Sequence, residues 1–169
     1  ITIGDGKTLQ GSGPGNVIID ATGLGVSAVT STGSFAMDGI RITGGNTPGS
    51  GGGILINGVG HNVTLNNIQV DNNTAGNQGG GIYLGPNSSL TIGTATCSAA
   101  PVSVGPLANL IANNTNINTG VNSRGGGIYA EGNVTIADTR FSSNTAFQGA
   151  GLMLVNPATA DIDCSIFDG

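Results

Sequence analysis

The chain predicts an all-β solenoid, a stack of about six to seven coils with three short strands in each and one inserted loop. Three observations carry this reading. An Asn-Thr pair followed by a glycine cluster and one apolar residue recurs at Asn46-Thr47 to Ile54, Asn73-Thr74 to Ile82, Asn114-Thr115 to Ile128 and Asn144-Thr145 to Leu152. Stacked coils require such a pattern, because each must turn the same corner at the same place. Within the intervening strands apolar residues alternate, as in Val63 and Leu65 or Val134 and Ile136, so that one face points inward. Finally, 32 of the 169 residues are Gly, 8% are charged and 4% aromatic, too little large apolar surface for a round core. A mean hydropathy of +0.16 argues equally against a disordered chain. A thin, continuous core of small aliphatic side chains reconciles the two.

The chain reads as one domain, 1–169. One coil runs Gly53-Ile54-Leu55-Ile56, a turn at Asn57-Gly58, Asn62-Val63-Thr64-Leu65, Ile68-Gln69-Val70, then Asp71-Asn72-Asn73-Thr74. Another repeats these parts from Gly127-Ile128 through Asn133-Val134-Thr135-Ile136 to Asn144-Thr145, with Gly151 opening the next. Gly53 to Gly81 is 28 residues and Gly127 to Gly151 is 24, room for three strands and three turns. Asn46, Asn73, Asn114 and Asn144 are expected to occupy one shared corner, where stacked amides form a ladder along the axis; Gly53, Gly81, Gly127 and Gly151 mark the strand starts.

The unit from Gly81 to Gly127 is 46 residues long. A loop at about 97–109 accounts for part of the excess, and Asn116 to Arg124 lengthens the next turn. Loops on a rigid scaffold are common binding sites, so Cys97, Pro101, Pro106 and Asn109 are the candidate binding residues. An excursion that covers an edge without a partner is the competing reading. Residues 1–26 are less regular and read as shorter coils, with 27–169 in the regular repeat. The chain opens on Ile1-Thr2-Ile3 without Met, which suggests a processed protein or an excised segment.

Phe141-Ser142-Ser143-Asn144 followed by Gly149-Ala150-Gly151-Leu152 pairs a Phe-x-x-Asn element with a Gly-Gly-Ala/Ile-like one. Val70 to Asn73 with Gly79 to Ile82, and Ile111 to Asn114 with Gly125 to Ile128, keep the spacing with an aliphatic in place of Phe. On these motifs residues 35–169 resemble right-handed parallel β-helix proteins of the pectin-lyase-like kind, among them bacterial surface proteins with polymorphic-outer-membrane-protein repeats. The resemblance implies the fold; its members include adhesins, passenger domains, tailspikes and polysaccharide lyases or hydrolases, so it does not imply one activity.

Catalysis in such relatives would call for clustered Asp with an Arg or Lys base, or several Asp on adjacent coils. Here the close acidic pair is Asp161-x-Asp163, which aligns on Thr135 and Ala137 of the preceding coil, and Asp138 and Glu131 stand apart. His61, in Gly60-His61-Asn62, has no acidic companion in sequence. No Cys/His set has zinc spacing, and no nucleophile elbow or phosphate loop is present. No catalytic residue, metal or cofactor is therefore assigned. Thr30-x-Thr32 and Thr94-x-Thr96 raise ice binding as a minor reading, although these pairs do not align on consecutive coils.

A net charge of −5, with Lys7, Arg41, Arg124 and Arg140 as the only fixed cations, excludes a nucleic-acid surface and a polybasic membrane surface. No apolar run approaches the roughly 18 residues of a spanning helix. Cys97 and Cys164 either pair through a loop that bends over about two coils, or Cys164 bonds a neighbouring subunit. Five Asn-x-Ser/Thr sequons, at Asn62, Asn72, Asn87, Asn113 and Asn133, are candidate glycosylation sites at corners. Together these features predict a non-catalytic, extracellular or cell-surface rod. Its expected partners are copies of itself stacked end to end into a filament or the rest of a larger adhesin, with carbohydrate or a host cell surface as ligand. A polysaccharide-binding or polysaccharide-degrading enzyme is the alternative.

Overall fold

The computed structural model describes residues 1–94 and 108–168. Among these residues there is no helix, and the strands build a parallel β-solenoid of about six turns. Three long sheets run the length of the stack, each taking one strand from every coil. The first contains β1 (Thr2–Ile3), β4 (Val29–Ser31), β8 (Ile54–Ile56), β12 (Ile82–Leu84), β16 (Ile128–Ala130) and β19 (Leu152–Leu154). The second contains β2 (Lys7–Gln10), β5 (Phe35–Asp38), β9 (Asn62–Asn66), β13 (Ser89–Ile92), β17 (Asn133–Ala137) and β20 (Ala160–Asp163). The third contains β3 (Ile18–Asp20), β6 (Arg41–Thr43), β10 (Gln69–Asp71), β14 (Asn109–Ala112), β18 (Thr139–Ser142) and β21 (Ile166–Asp168). A fourth, short sheet of β7 (Asn46–Thr47), β11 (Thr74–Ala75) and β15 (Thr115–Asn116) exceeds the three strands per coil that the sequence suggests.

Inward columns form the core. Ile54, Ile82 and Ile128 stack in register, as do Leu65, Ile92 and Ile136 and, in the third sheet, Ile42, Val70, Ile111 and Phe141. Each is at most 1% exposed, and burial of such side chains stabilises by roughly 1.5–3 kcal/mol apiece. Outward residues between them, such as Thr64, Thr91 and Thr135, are half-buried, so the period-2 reading of the strands is realised. The first 26 residues are not short irregular coils. They make one full coil, with Thr2 opposite Thr30, Leu9 opposite Met37 and Ile19 opposite Ile42.

The glycine triplets divide their labour. The first member takes a positive φ, +66° at Gly79 and +64° at Gly125, a conformation glycine adopts without a Cβ penalty. The third approaches the next coil too closely for any side chain: a Cβ on Gly127 would lie 2.4 Å from the Gly151 carbonyl oxygen, and one on Gly81 2.6 Å from that of Gly127.

One expected corner residue is out of register. Asn46 pairs with Thr74, not with Asn73, and is exposed. The corners align through the left-handed residues Gly44, Asn72, Asn113 and Ser143 (φ +70°, +54°, +53° and +53°), so Gly45 occupies the ladder position of that coil. Its N–H donates to Asn73 Oδ1 at 2.9 Å.

Candidate functional site

The ladder itself is internal. Asn73 Nδ2 donates to Asn114 Oδ1, and Asn114 Nδ2 to Asn144 Oδ1, both at 3.0 Å. The same two oxygens accept the backbone N–H of Asn73 and Asn114 at 3.1 Å. The amides also reach the carbonyls of Ile42, Val70 and Ile111 at 3.1, 2.9 and 2.8 Å. Asn73 and Asn114 are fully buried, so these bonds answer backbone groups that water cannot reach. Asn73, Asn114 and Asn144 are scaffold.

Asn109 is also scaffold. Offered by the sequence as part of a binding loop, it begins β14 at 1% exposure. Its Oδ1 accepts the Ile68 N–H at 3.1 Å and its Nδ2 donates to the carbonyls of Ala137 and Asp138. The inserted segment therefore ends before it. Cys97, Pro101 and Pro106 lie outside the described residues. Cys164 is disulfide-bonded.

His61 closes the corner between the first and second sheets. Ser31 Oγ lies 2.7 Å from the Gly33 carbonyl oxygen and 2.9 Å from His61 Nδ1. The ring lies across Gly58, where a Cβ would meet it at 2.0 Å, and the His61 N–H reaches Ser88 Oγ at 3.2 Å. The Ser31 and His61 pair ties together two coils whose residues are 30 apart in sequence.

Acidic groups are held apart. Asp161 stacks on Thr135 and Asp163 on Ala137, as the sequence alignment has them. Asp71, 5% exposed in its side chain, takes a bidentate pair from Arg41 on the preceding coil, Nε to Oδ1 at 2.8 Å and Nη2 to Oδ2 at 2.7 Å. Gln69 and Asn72 donate to the same carboxylate. The Asp71 hydrogen bond holds the Arg41 guanidinium above its ordinary pKa. Arg140 and Asp168 repeat the pairing one coil apart near the last turn. No group of three or more His, Cys, Asp or Glu side chains converges among the described residues, and no helix is long and apolar enough to cross a membrane.

Two surface features escape sequence reasoning. Thr64, Thr91 and Thr135 stand in register on three consecutive coils, continued by Ala36 on one side and Asp161 on the other. Beside this row a polar cleft of about 390 Å³ crosses the first corner, lined by Asn62, Asn87, Ser89, Glu131, Asn133 and Pro157 among others. On its flank Tyr83 and Tyr129 stack at 5.7 Å, and the Tyr83 hydroxyl donates to Glu131 Oε1 at 2.9 Å. Burial first, then the bond to Glu131 and its charge, push the Tyr83 pKa well above that of a free phenol, which keeps it a donor. All five sequon asparagines are exposed: Asn62, Asn87 and Asn133 at this corner, Asn72 and Asn113 at the ladder corner. The cleft depends on partners 27 to 48 residues apart, across coils of unequal length, and no local motif announces it.

The fold and these corners define a parallel β-solenoid. No protein-family model, curated protein or solved structure matches the chain.

Proposed function

We propose that the chain is a non-catalytic, extracellular structural or adhesive rod, a right-handed β-helix of the pectin-lyase-like kind with polymorphic-outer-membrane-type repeats. In this reading it stacks end to end with further copies or forms part of a larger surface protein. The observation that carries it is the state of the core columns at the two end coils. Leu65, Ile92 and Ile136 are fully buried, whereas Ile162, next in the same column, is 41% exposed; Phe141 is 1% exposed and its stacked neighbour Phe167 48%. At the opposite end Ile1 is 57% exposed, and Leu9 and Ile19, which stack on the fully buried Met37 and Ile42, are only partly buried. Among the described residues each end coil thus presents partly exposed apolar side chains and a strand edge on which a further coil would fit, whether it comes from the same chain or from another copy. Heterologous contacts of this kind, if they do not close, propagate into filaments.

Electron microscopy across a concentration series tests self-assembly. Rods that lengthen with concentration are expected; short monodisperse particles at the highest concentration count against it. Turnover of an acidic polysaccharide in a lyase assay with calcium would overturn the non-catalytic reading. The Thr64, Thr91 and Thr135 row supports ice binding as a second reading, which absence of thermal hysteresis would remove.

A further inference from the structure

We propose that the first-corner cleft is a binding site for a neutral, hydroxyl-rich glycan chain lying along the solenoid axis. The proposal names the ligand of the adhesive rod and rests on that reading.

The cleft holds donors and an acceptor fixed in orientation before any ligand arrives. Asn62 Oδ1 is occupied by the Ser89 hydroxyl at 2.6 Å, and Asn133 Oδ1 by the N–H and hydroxyl of Thr159 at 3.1 and 3.0 Å. Each amide is thereby turned so that its Nδ2 group, with no partner among the described residues, faces outward. On the same coil as Asn133, Glu131 is held through Oε1 by the half-buried Tyr83 of the preceding coil, which leaves Oε2 as an acceptor. Gly132 keeps the floor low, since a Cβ there would meet the Ser88 carbonyl oxygen at 2.2 Å. Such groups, whose own bonds are already made on the scaffold side, lose little freedom on binding.

Their chemistry selects the ligand class. The cleft is lined by no Lys or Arg, and the chain carries a net −5, so Glu131 would repel a uronate or phosphate. Two outward amide donors disfavour a cation, which has no acceptor to offer them. Hydroxyl groups both donate and accept, so a polyol satisfies the amides and the carboxylate together. The lining residues come from consecutive coils about 4.8 Å apart, which favours an extended chain over a single sugar, and 390 Å³ lies within the usual range for small-ligand clefts, about 300–1,000 Å³.

The test is saturation-transfer NMR with titration, using protein made without N-glycosylation. Cellohexaose, chitohexaose and maltohexaose are the neutral probes; hexagalacturonate and spermidine are the charged ones. At least one neutral hexasaccharide is expected to bind with millimolar affinity, about 10-fold more weakly to Glu131→Ala and to Asn133→Ala. Glu131→Gln, which keeps an acceptor, should retain most binding. Thermal melting of each variant confirms folding; Asn133 is exposed, and its alanine variant gives up only the two surface bonds from Thr159. The proposal is overturned by no transfer from any neutral probe up to about 10 mM, by preference for a charged probe, or by binding indifferent to both alanine variants. Any of these failures would leave filament formation, read by microscopy, unaffected.

Discussion

Asn73 and Asn114 are 41 residues apart in sequence and one coil apart in space, joined by a side-chain amide bond of 3.0 Å and a backbone bond of 3.1 Å to the same oxygen. Asn114 Nδ2 in turn bonds the Val70 carbonyl. Asn114→Ala therefore leaves the buried Asn73 N–H without its acceptor and removes one bond each from Asn73 Nδ2 and the Val70 carbonyl. A loss of about 3 kcal/mol or more is expected, read as a lowered midpoint in thermal or denaturant unfolding. Asn46→Ala, at an exposed position outside the ladder, should stay within about 0.5 kcal/mol; equal losses at the two positions would refute the register.

The middle glycine of the triplet gives an internal control. In Gly126→Ala the new Cβ would lie 2.6 Å from the Ala150 carbonyl oxygen and 2.7 Å from Thr145 backbone, whereas Ala150 itself occupies the equivalent place in the last coil. Gly126→Ala should cost more than about 2 kcal/mol through backbone displacement, and Ala150→Gly about 1 kcal/mol or less. Comparable melting shifts for the two would show that the triplet's spacing is not set by the following coil.

The Arg41 and Asp71 pair is bidentate and its carboxylate is nearly buried. Removing Asp71 also strands Gln69 and Asn72, so Asp71→Ala should cost about 2–3 kcal/mol. A double-mutant cycle with Arg41→Ala is expected to give a coupling of about 1–2 kcal/mol. Additive losses would reduce the pair to surface decoration.

Acid should loosen the end coils first. The hydrogen bond from Arg140 holds the Asp168 pKa below its ordinary 3.8, and the Thr22 side-chain and backbone bonds do the same for Asp20. Because the folded values lie below the unfolded ones, the associated stability is present above pH 3.8 and is lost as pH falls through the folded values. Hydrogen exchange should show β3 and β21 losing protection ahead of β10 and β14 below about pH 4; uniform loss would contradict this.

What the sequence reveals about this molecule follows from the range of each interaction. Alternation such as Val63-Thr64-Leu65 is local, so strands and core columns could be read directly. The ladder was visible at Asn73, Asn114 and Asn144 because a Thr follows each and a glycine cluster comes soon after. It misled at Asn46, where Gly44-Gly45-Asn46 mimics the motif one residue late; only the left-handed φ at Gly44 sets the true alignment. Asn109 looked like loop because no sequence rule shows its amide meeting Ile68, 41 residues away. The Thr64 to Thr135 row and the Glu131 cleft were hidden for a related reason, since coils of different lengths must first be laid in register before their outer faces can be compared.

Coil length and coil register are independent in this chain. Ile54, Ile82, Ile128 and Leu152 pair in unbroken succession, although 28, 46 and 24 residues separate them. Closing a longer excursion costs only about 0.6 kcal/mol per doubling of its length, while every rung of the stack remains where it was. The solenoid thus behaves as a ruler whose divisions are equal along the axis and unequal along the chain: a coil can change length at its turns while the rungs above and below it keep their places.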